Sequence, residues 1–214
     1  FIAGCENLIS AVSGTRDFHS VNASAFFGVP YDQIRDDVKK ETINKDLRDL
    51  AKRVNHGANY NMGPDVLIDT MGLPKIYEAQ KLLKLPEHWS PRQVAEHLLS
   101  AFHKTYPELQ QIYYKRVIKD VTTTKKLVGA TGWTRYCFGN PVTNKLHLNS
   151  YIAHNPQSLN AQKLNIGFMK IFWTIMMNPE VNQDIIVFGQ IHDSVPHQVR
   201  EGKEYLSQLI VDCM

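Results

Sequence analysis

The sequence predicts an α+β fold, mostly helical through its first two thirds, with an antiparallel β-hairpin packed on helices towards its end. Three observations carry this. Apolar residues recur at helical spacing, between capping signals, as far as about residue 125. From Lys126 to Pro141 the pattern changes to short β-rich runs. Ile185-Ile186-Val187-Phe188, continuing to Ile191, is then too apolar for an exposed strand, and Val195 to Val199 can return beside it as a second one.

The elements follow in order. Val21 to Phe27 reads as the end of a helix stopped by Gly28 and Pro30. Residues 31–45, rich in charge (Arg35, Asp36, Asp37, Lys39, Lys40, Glu41), read as an exposed connection or frayed helix. A strong helix is expected over 46–60, closed by Gly63-Pro64, with shorter ones at 65–71 and 76–84. Ser90-Pro91 supplies an N-cap and a first-turn proline for a helix carrying Val94, Leu98 and Phe102 on one side. Pro107 opens another, with Leu109, Ile112, Tyr113 and Val117. Leu127 to Ala130 and Trp133 to Phe138 read as two short strands around Thr131-Gly132. A long helix is expected at 157–177, its stripe of Phe168, Met169, Phe172, Trp173 and Met176 forming core. Residues 202–214 read as a helix with Tyr205, Leu206, Leu209 and Ile210 on one side.

Composition excludes several classes. Among the 214 residues, 43% are hydrophobic and 21% charged, which argues against disorder. No stretch approaches the ~20 apolar residues of a membrane span, so no membrane partner is expected. The start, Phe1-Ile2-Ala3-Gly4-Cys5, lacks a signal-peptide pattern and suggests a piece of a longer chain. Cys5, Cys137 and Cys213 form neither a metal spacing nor a disulfide framework, in keeping with a cytoplasmic location. His88, His97, His103, His147, His154 and His197 likewise show no zinc spacing and read as surface or structural. A net charge of +3 permits nucleic-acid binding without requiring it.

Two features carry chemistry. In the helix at 46–60, Leu47, Leu50, Ala51, Val54 and Ala58 make an apolar face, while Arg48, Lys52, His56 and Tyr60, four apart, make a continuous stripe. A forked cation, a point cation, an imidazole and a ring suit a polyphosphate bearing a base or sugar at one end. The plain alternative is a solvated helix face. The second feature is His192-Asp193-Ser194 at the end of the apolar strand. A carboxylate there suits a hard cation such as Mg²⁺, though one Asp is not by itself a metal site, and the plain alternative is a turn-forming Asp.

Together these pieces resemble family A (bacterial polymerase I-like) DNA polymerases. Arg48-x3-Lys52-x7-Tyr60 resembles the fingers helix of that family, and Gln190-Ile191-His192-Asp193-Ser194 its third polymerase motif. Gly4 to Ile9, followed by Arg16-Asp17-x-His19 and Ala25-Phe26-Phe27-Gly28, resembles the stretch after the first motif. Pro156-Gln157-Ser158 resembles a segment contacting primer-template, and Trp133-Thr134-Arg135-Tyr136 sits where the family has a small basic β element. Asn61 stands where a glycine usually follows the tyrosine, His56 where an aromatic ring senses the sugar, and Ser194 where a carboxylate is usual.

The resemblance implies a template-directed DNA polymerase, in bacterial or phage-infected cytoplasm, working by two-metal-ion nucleotidyl transfer from a dNTP to a primer 3′-hydroxyl. It divides the chain into a palm-to-fingers segment at 1–30, fingers at 31–125 and partial palm at 126–214. Arg48 and Lys52 would bind the triphosphate and neutralise developing charge, with His19 helping. His56 would face the sugar and Tyr60 would stack on the nascent pair. Gln157, Gln190, His192 and Arg135 would touch DNA. Asp193 would be one of two aspartates holding two Mg²⁺ ions, the other supplied by an upstream segment or partner chain, so that these residues alone are expected to be inactive. A phage-type single-subunit RNA polymerase, favoured by Ser194, and a non-catalytic DNA-binding part of a split polymerase remain as alternatives.

Overall fold

The structure, a computed structural model, describes residues 4–140, 142–191 and 194–214. In chain order it contains α1 (Glu6–Ser13), α2 (Phe18–Phe27), β1 (Arg35–Asp36), β2 (Glu41–Thr42), α3 (Lys45–Ala58), α4 (Pro64–Met71), α5 (Leu73–Leu82), α6 (Pro91–Thr105), a π-helical segment Leu109–Tyr114, α7 (Lys115–Thr124), β3 (Lys126–Val128), β4 (Thr134–Tyr136), α8 (Lys145–Met176), α9 (Pro179–Asn182), β5 (Ile185–Val187), β6 (His197–Val199) and α10 (Ser207–Cys213). The α+β expectation holds: among the described residues helices dominate, and the three sheets are each a pair of strands. Within residues 31–45, expected as a connection or frayed helix, a 3-10 turn at Tyr31–Gln33 leads into a small antiparallel hairpin, Arg35 opposite Thr42 and Asp36 opposite Glu41.

The chain divides into two units, Phe1–Leu127 with Thr134–Ala153, and Val128–Trp133 with His154–Met214. In the first, α3 packs on α2 and α6 through Leu47, Leu50, Ala51, Val54 and Ala58, all buried as their spacing predicted. Phe26, Phe102 and Tyr106 meet edge to face beneath them, and the Tyr106 hydroxyl donates to the Asn22 side-chain oxygen. Ser90 caps α6 in a full capping box with Gln93, with Pro91 in the first turn.

After α6 the helix winds with π geometry over Leu109–Tyr114. This rotates Tyr113 and Tyr114 inward and leaves Ile112, expected on the buried side, exposed. The consequence reaches α8, which begins at Lys145, well before the expected start, and runs straight through Pro156. Proline has no N–H to give the carbonyl four residues back, that of Ile152. The Tyr113 hydroxyl donates to that carbonyl at 2.6 Å. A long helix thus tolerates an interior proline because a buried tyrosine replaces the missing donor. Tyr113→Phe should therefore leave a buried carbonyl unpaired and lower stability by about 1–3 kcal/mol in chemical denaturation; an unchanged midpoint would contradict this role.

In the second unit, β5 pairs antiparallel with β6, Ile185 opposite Val199 and Val187 opposite His197, and an isolated bridge joins Ile191 to Ser194. Its core is Ile171, Ile175, Ile185, Leu206 and Ile210. Three expectations are corrected. The run from Ile185 is not a fully buried strand: Ile186 and Phe188 are exposed, because a two-stranded sheet buries only the face carrying Ile185 and Val187, and Ile191, beyond the end of β5, is exposed as well. Met169, Phe172, Trp173 and Met176 are exposed rather than core, since Ile171 and Ile175 turn the other side of α8 inward. Tyr205 is exposed too, while Leu206 and Ile210 pack.

A cationic cluster on the third helix

The candidate site is built on α3 and the start of α2. Asn44 caps α3 by accepting from the Leu47 N–H at 3.1 Å. The helix closes with the Asn61 N–H bonded to the Ala58 carbonyl and the Met62 N–H to the Gly57 carbonyl. That closure needs a left-handed residue, and Asn61 has φ +59°. Asparagine tolerates this conformation, so it can serve where the resemblance leads one to expect glycine. Its side chain also donates to Asn149 Oδ1 at 2.9 Å. The Tyr114 hydroxyl donates to the Ala58 carbonyl at 2.9 Å, fixing the same helix end from inside. Nearby, a Cβ at Gly57 would meet Met62 Sδ at 2.6 Å, so a side chain there would make Met62 shift.

Of the stripe, Arg48 and Tyr60 are half-buried, while Lys52 and His56 are exposed. Arg48 grips Asp17 with two parallel hydrogen bonds, Nε to Oδ1 at 2.9 Å and an Nη to Oδ2 at 3.0 Å. Asp17 also caps α2, accepting from the Ser20 N–H at 2.9 Å and the Ser20 hydroxyl at 2.8 Å. Burial alone would raise the Asp17 carboxyl. The donors from Arg48 and Ser20 overcome this and hold it well below the ordinary carboxylate range. Asp17 thus ties α2 to α3, and the α2 residue it brings to the stripe is His19. The His19 and His56 rings lie 6.2 Å apart.

His19 Nδ1 is buried and has no hydrogen-bond partner among the described residues. Burial first, and then the charge of Arg48, lower the His19 pKa, with Lys52 contributing in the same sense. His19 therefore favours its neutral form beside Arg48 and Lys52. Beside it, an open groove is lined by Lys52, Arg53 and His56 above Met62, Leu67 and Met71.

The structure thus brings His19, Arg48 and His56 together, with Lys52 close enough to act on His19. Gln157 and Gln190 belong to the second unit and are exposed. Arg135 is half-buried: it donates to the Ser150 carbonyl at 3.0 Å and hydroxyl at 2.8 Å, and lies over the Tyr151 ring at 5.1 Å. His192 and Asp193 lie outside the described residues. Among the described residues, no group of three or more His, Cys, Asp or Glu is placed to hold a metal ion. No helix among them is long and apolar enough to cross a membrane. The partner that sequence reasoning missed is Asp17. Its grip on Arg48 spans 31 positions, so nothing local in the sequence points to it.

No family model matches the chain. It is 22% identical over 199 residues to DNA polymerase I of one strain of Helicobacter pylori and 23% over 205 residues to that of another. Each match covers 92% of this chain but only 18% of the relative. Among solved structures, the POL domain of Pol1 from M. smegmatis, in complex with DNA primer-template and dNTP, superposes with a TM-score of 0.69. That match has 18% identity and covers 99% of this chain and 33% of that one. The chain resembles part of a polymerase I polymerase domain. Nearly the whole chain takes part in the likeness, so its fold is that of part of a polymerase I-like domain.

Proposed function

We propose that the chain supplies the nucleotide-binding helix and one metal-binding carboxylate of a template-directed DNA polymerase. The reading is carried by the Asp17–Arg48 pair, which fixes a cation beside His19 and His56 on the helix that also carries Lys52. Arg48 and Lys52 bind the triphosphate of a dNTP, and His19 joins them. His56 faces the sugar, and Tyr60 stacks on the nascent base pair. Gln157, Gln190 and His192 contact primer-template DNA, while Arg135, held by Ser150 and Tyr151, positions the strand that carries it. The relatives are named as DNA polymerases, and the solved neighbour is described in complex with primer-template and dNTP, which supports this assignment.

The carboxylate of Asp193, a hard oxygen donor, fits Mg²⁺ and would hold it together with a second acid outside these residues. Bound there, Mg²⁺ would lower the barrier to attack by the primer hydroxyl and stabilise departing pyrophosphate. The protein residues orient the triphosphate and offset its charge.

His19 gives this proposal a pH signature. Its pKa is lowered in the free protein, and a triphosphate beside it would raise that pKa. Affinity gained this way is complete below the free pKa and lost as pH rises through the bound one. The dNTP affinity should therefore rise as pH falls from about 8 towards 6, and His19→Gln should flatten the profile in calorimetric titrations. A profile that His19→Gln leaves unchanged would remove His19 from the phosphate site.

The competing reading is an RNA polymerase, which Ser194 favours. Primer extension by the intact polymerase, offered dNTPs or rNTPs, separates them. Extension with dNTPs on a primed template is expected; unprimed synthesis preferring rNTPs would overturn the assignment.

A further inference from the structure

Residues 121–179 contain no Asp or Glu; all 21 acidic residues of the chain lie outside this stretch. Within it stand Lys125, Lys126, Arg135, Lys145, Lys163 and Lys170. The part of this stretch in the first unit also exposes aromatic rings. Tyr136 is 59% and Phe138 87% exposed, two residues apart on one strand and its extension. Leu127 and Cys137 beneath them are buried. The Cys137 N–H donates to the Lys125 carbonyl at 2.9 Å, which holds the two segments side by side. Lys126 Nζ sits over the Tyr136 ring at 5.2 Å from its centre. Arg135 points the other way and is occupied by Ser150 and Tyr151. Its work is to pin β4 to the first turns of α8. The outward side is left to Lys126 and Tyr136, with Lys125 and Phe138 exposed beside them.

Exposed rings are costly to leave in water and are rare side by side without a partner. Two rings flanked by cations, with every carboxylate of the surrounding sequence removed, match a ligand of flat apolar faces joined by regular negative charge. We infer that this surface is a stacking site for single-stranded nucleic acid. Bases stack on Tyr136 and Phe138, and Lys125 and Lys126 take adjacent phosphates. Duplex DNA would not serve, because its bases are already stacked and shield their faces. Nor does the arrangement read a particular base: rings accept any base face, and lysines accept any phosphate. The inference goes beyond the polymerase reading, which requires only contacts near the growing primer end. In that setting the site would hold unpaired template.

Fluorescence anisotropy of a labelled oligothymidylate of about 12 nucleotides, titrated with the 214-residue chain, tests it. Saturable binding is expected, at least about tenfold tighter than to a duplex of the same length. Tyr136→Ala and Phe138→Ala should each weaken it about tenfold, and Tyr136→Trp should retain it. Lys125→Ala and Lys126→Ala should each reduce the slope of log affinity against log salt by about 0.7. The side chains changed are exposed, and circular dichroism confirms that each variant folds. Unchanged affinity in both ring-to-alanine variants would overturn the inference. So would equal binding of duplex, or binding to phosphatidylserine vesicles without binding to the oligonucleotide. The assay needs neither nucleotide nor metal, so failed primer extension by the intact polymerase leaves its outcome independent.

Discussion

Asp193→Asn is expected to abolish primer extension by a polymerase carrying this chain, by about 10³-fold or more, while primer-template affinity changes less than about threefold. The substitution keeps side-chain shape and removes only the negative charge and one strong oxygen donor. Mg²⁺ demands hard anionic ligands and gives up its water reluctantly, so a neutral amide is a poor replacement. DNA contacts spread over many phosphates and do not depend on one carboxylate. Single-turnover extension measures the chemical step, and anisotropy of a labelled primer-template measures the binding. Retention of more than about a tenth of the parent rate would remove Asp193 from the metal site.

Lys52→Ala is expected to lower kcat/KM for dNTP by about 10- to 100-fold, the loss of one charge-assisted contact to phosphate. The change should be selective. Lys52 is exposed and, among the described residues, forms no ion pair, so truncation removes a ligand contact with little effect on folding. Arg48 offers a contrast, because its grip on Asp17 also ties α2 to α3. Arg48→Ala would weaken nucleotide use and stability together. Lys52→Arg should recover part of the loss by restoring charge. Unchanged steady-state kinetics in Lys52→Ala would show that the stripe is only a solvated helix face.

Local chemistry explains which features could be read from the residues. The cap of α6 at Ser90-Pro91, the apolar face of α3 and the left-handed stop at Gly28 each depend on neighbours within a few positions. The stripe of Arg48, Lys52, His56 and Tyr60 was legible for the same reason, since helical spacing alone aligns those residues. What could not be read depends on distant partners. The long helix is expected only from 157 because nothing near Pro156 in sequence reveals that Tyr113 satisfies the Ile152 carbonyl. The pairing of Arg48 with Asp17 is equally remote. In the second unit, the apolar character of Ile186, Phe188, Trp173 and Met176 suggested burial, but composition does not say which side of a strand or helix finds a partner.

The central claim is that the stripe on α3 binds the phosphates of a nucleotide. Its most direct test is a titration of isotopically labelled chain with dNTP, followed by NMR at the His19 and His56 imidazoles. The account predicts saturable shifts at both rings that Lys52→Ala greatly weakens and that inorganic triphosphate reproduces at His19. Rings that do not respond, or shifts that Lys52→Ala leaves unaltered, would contradict it.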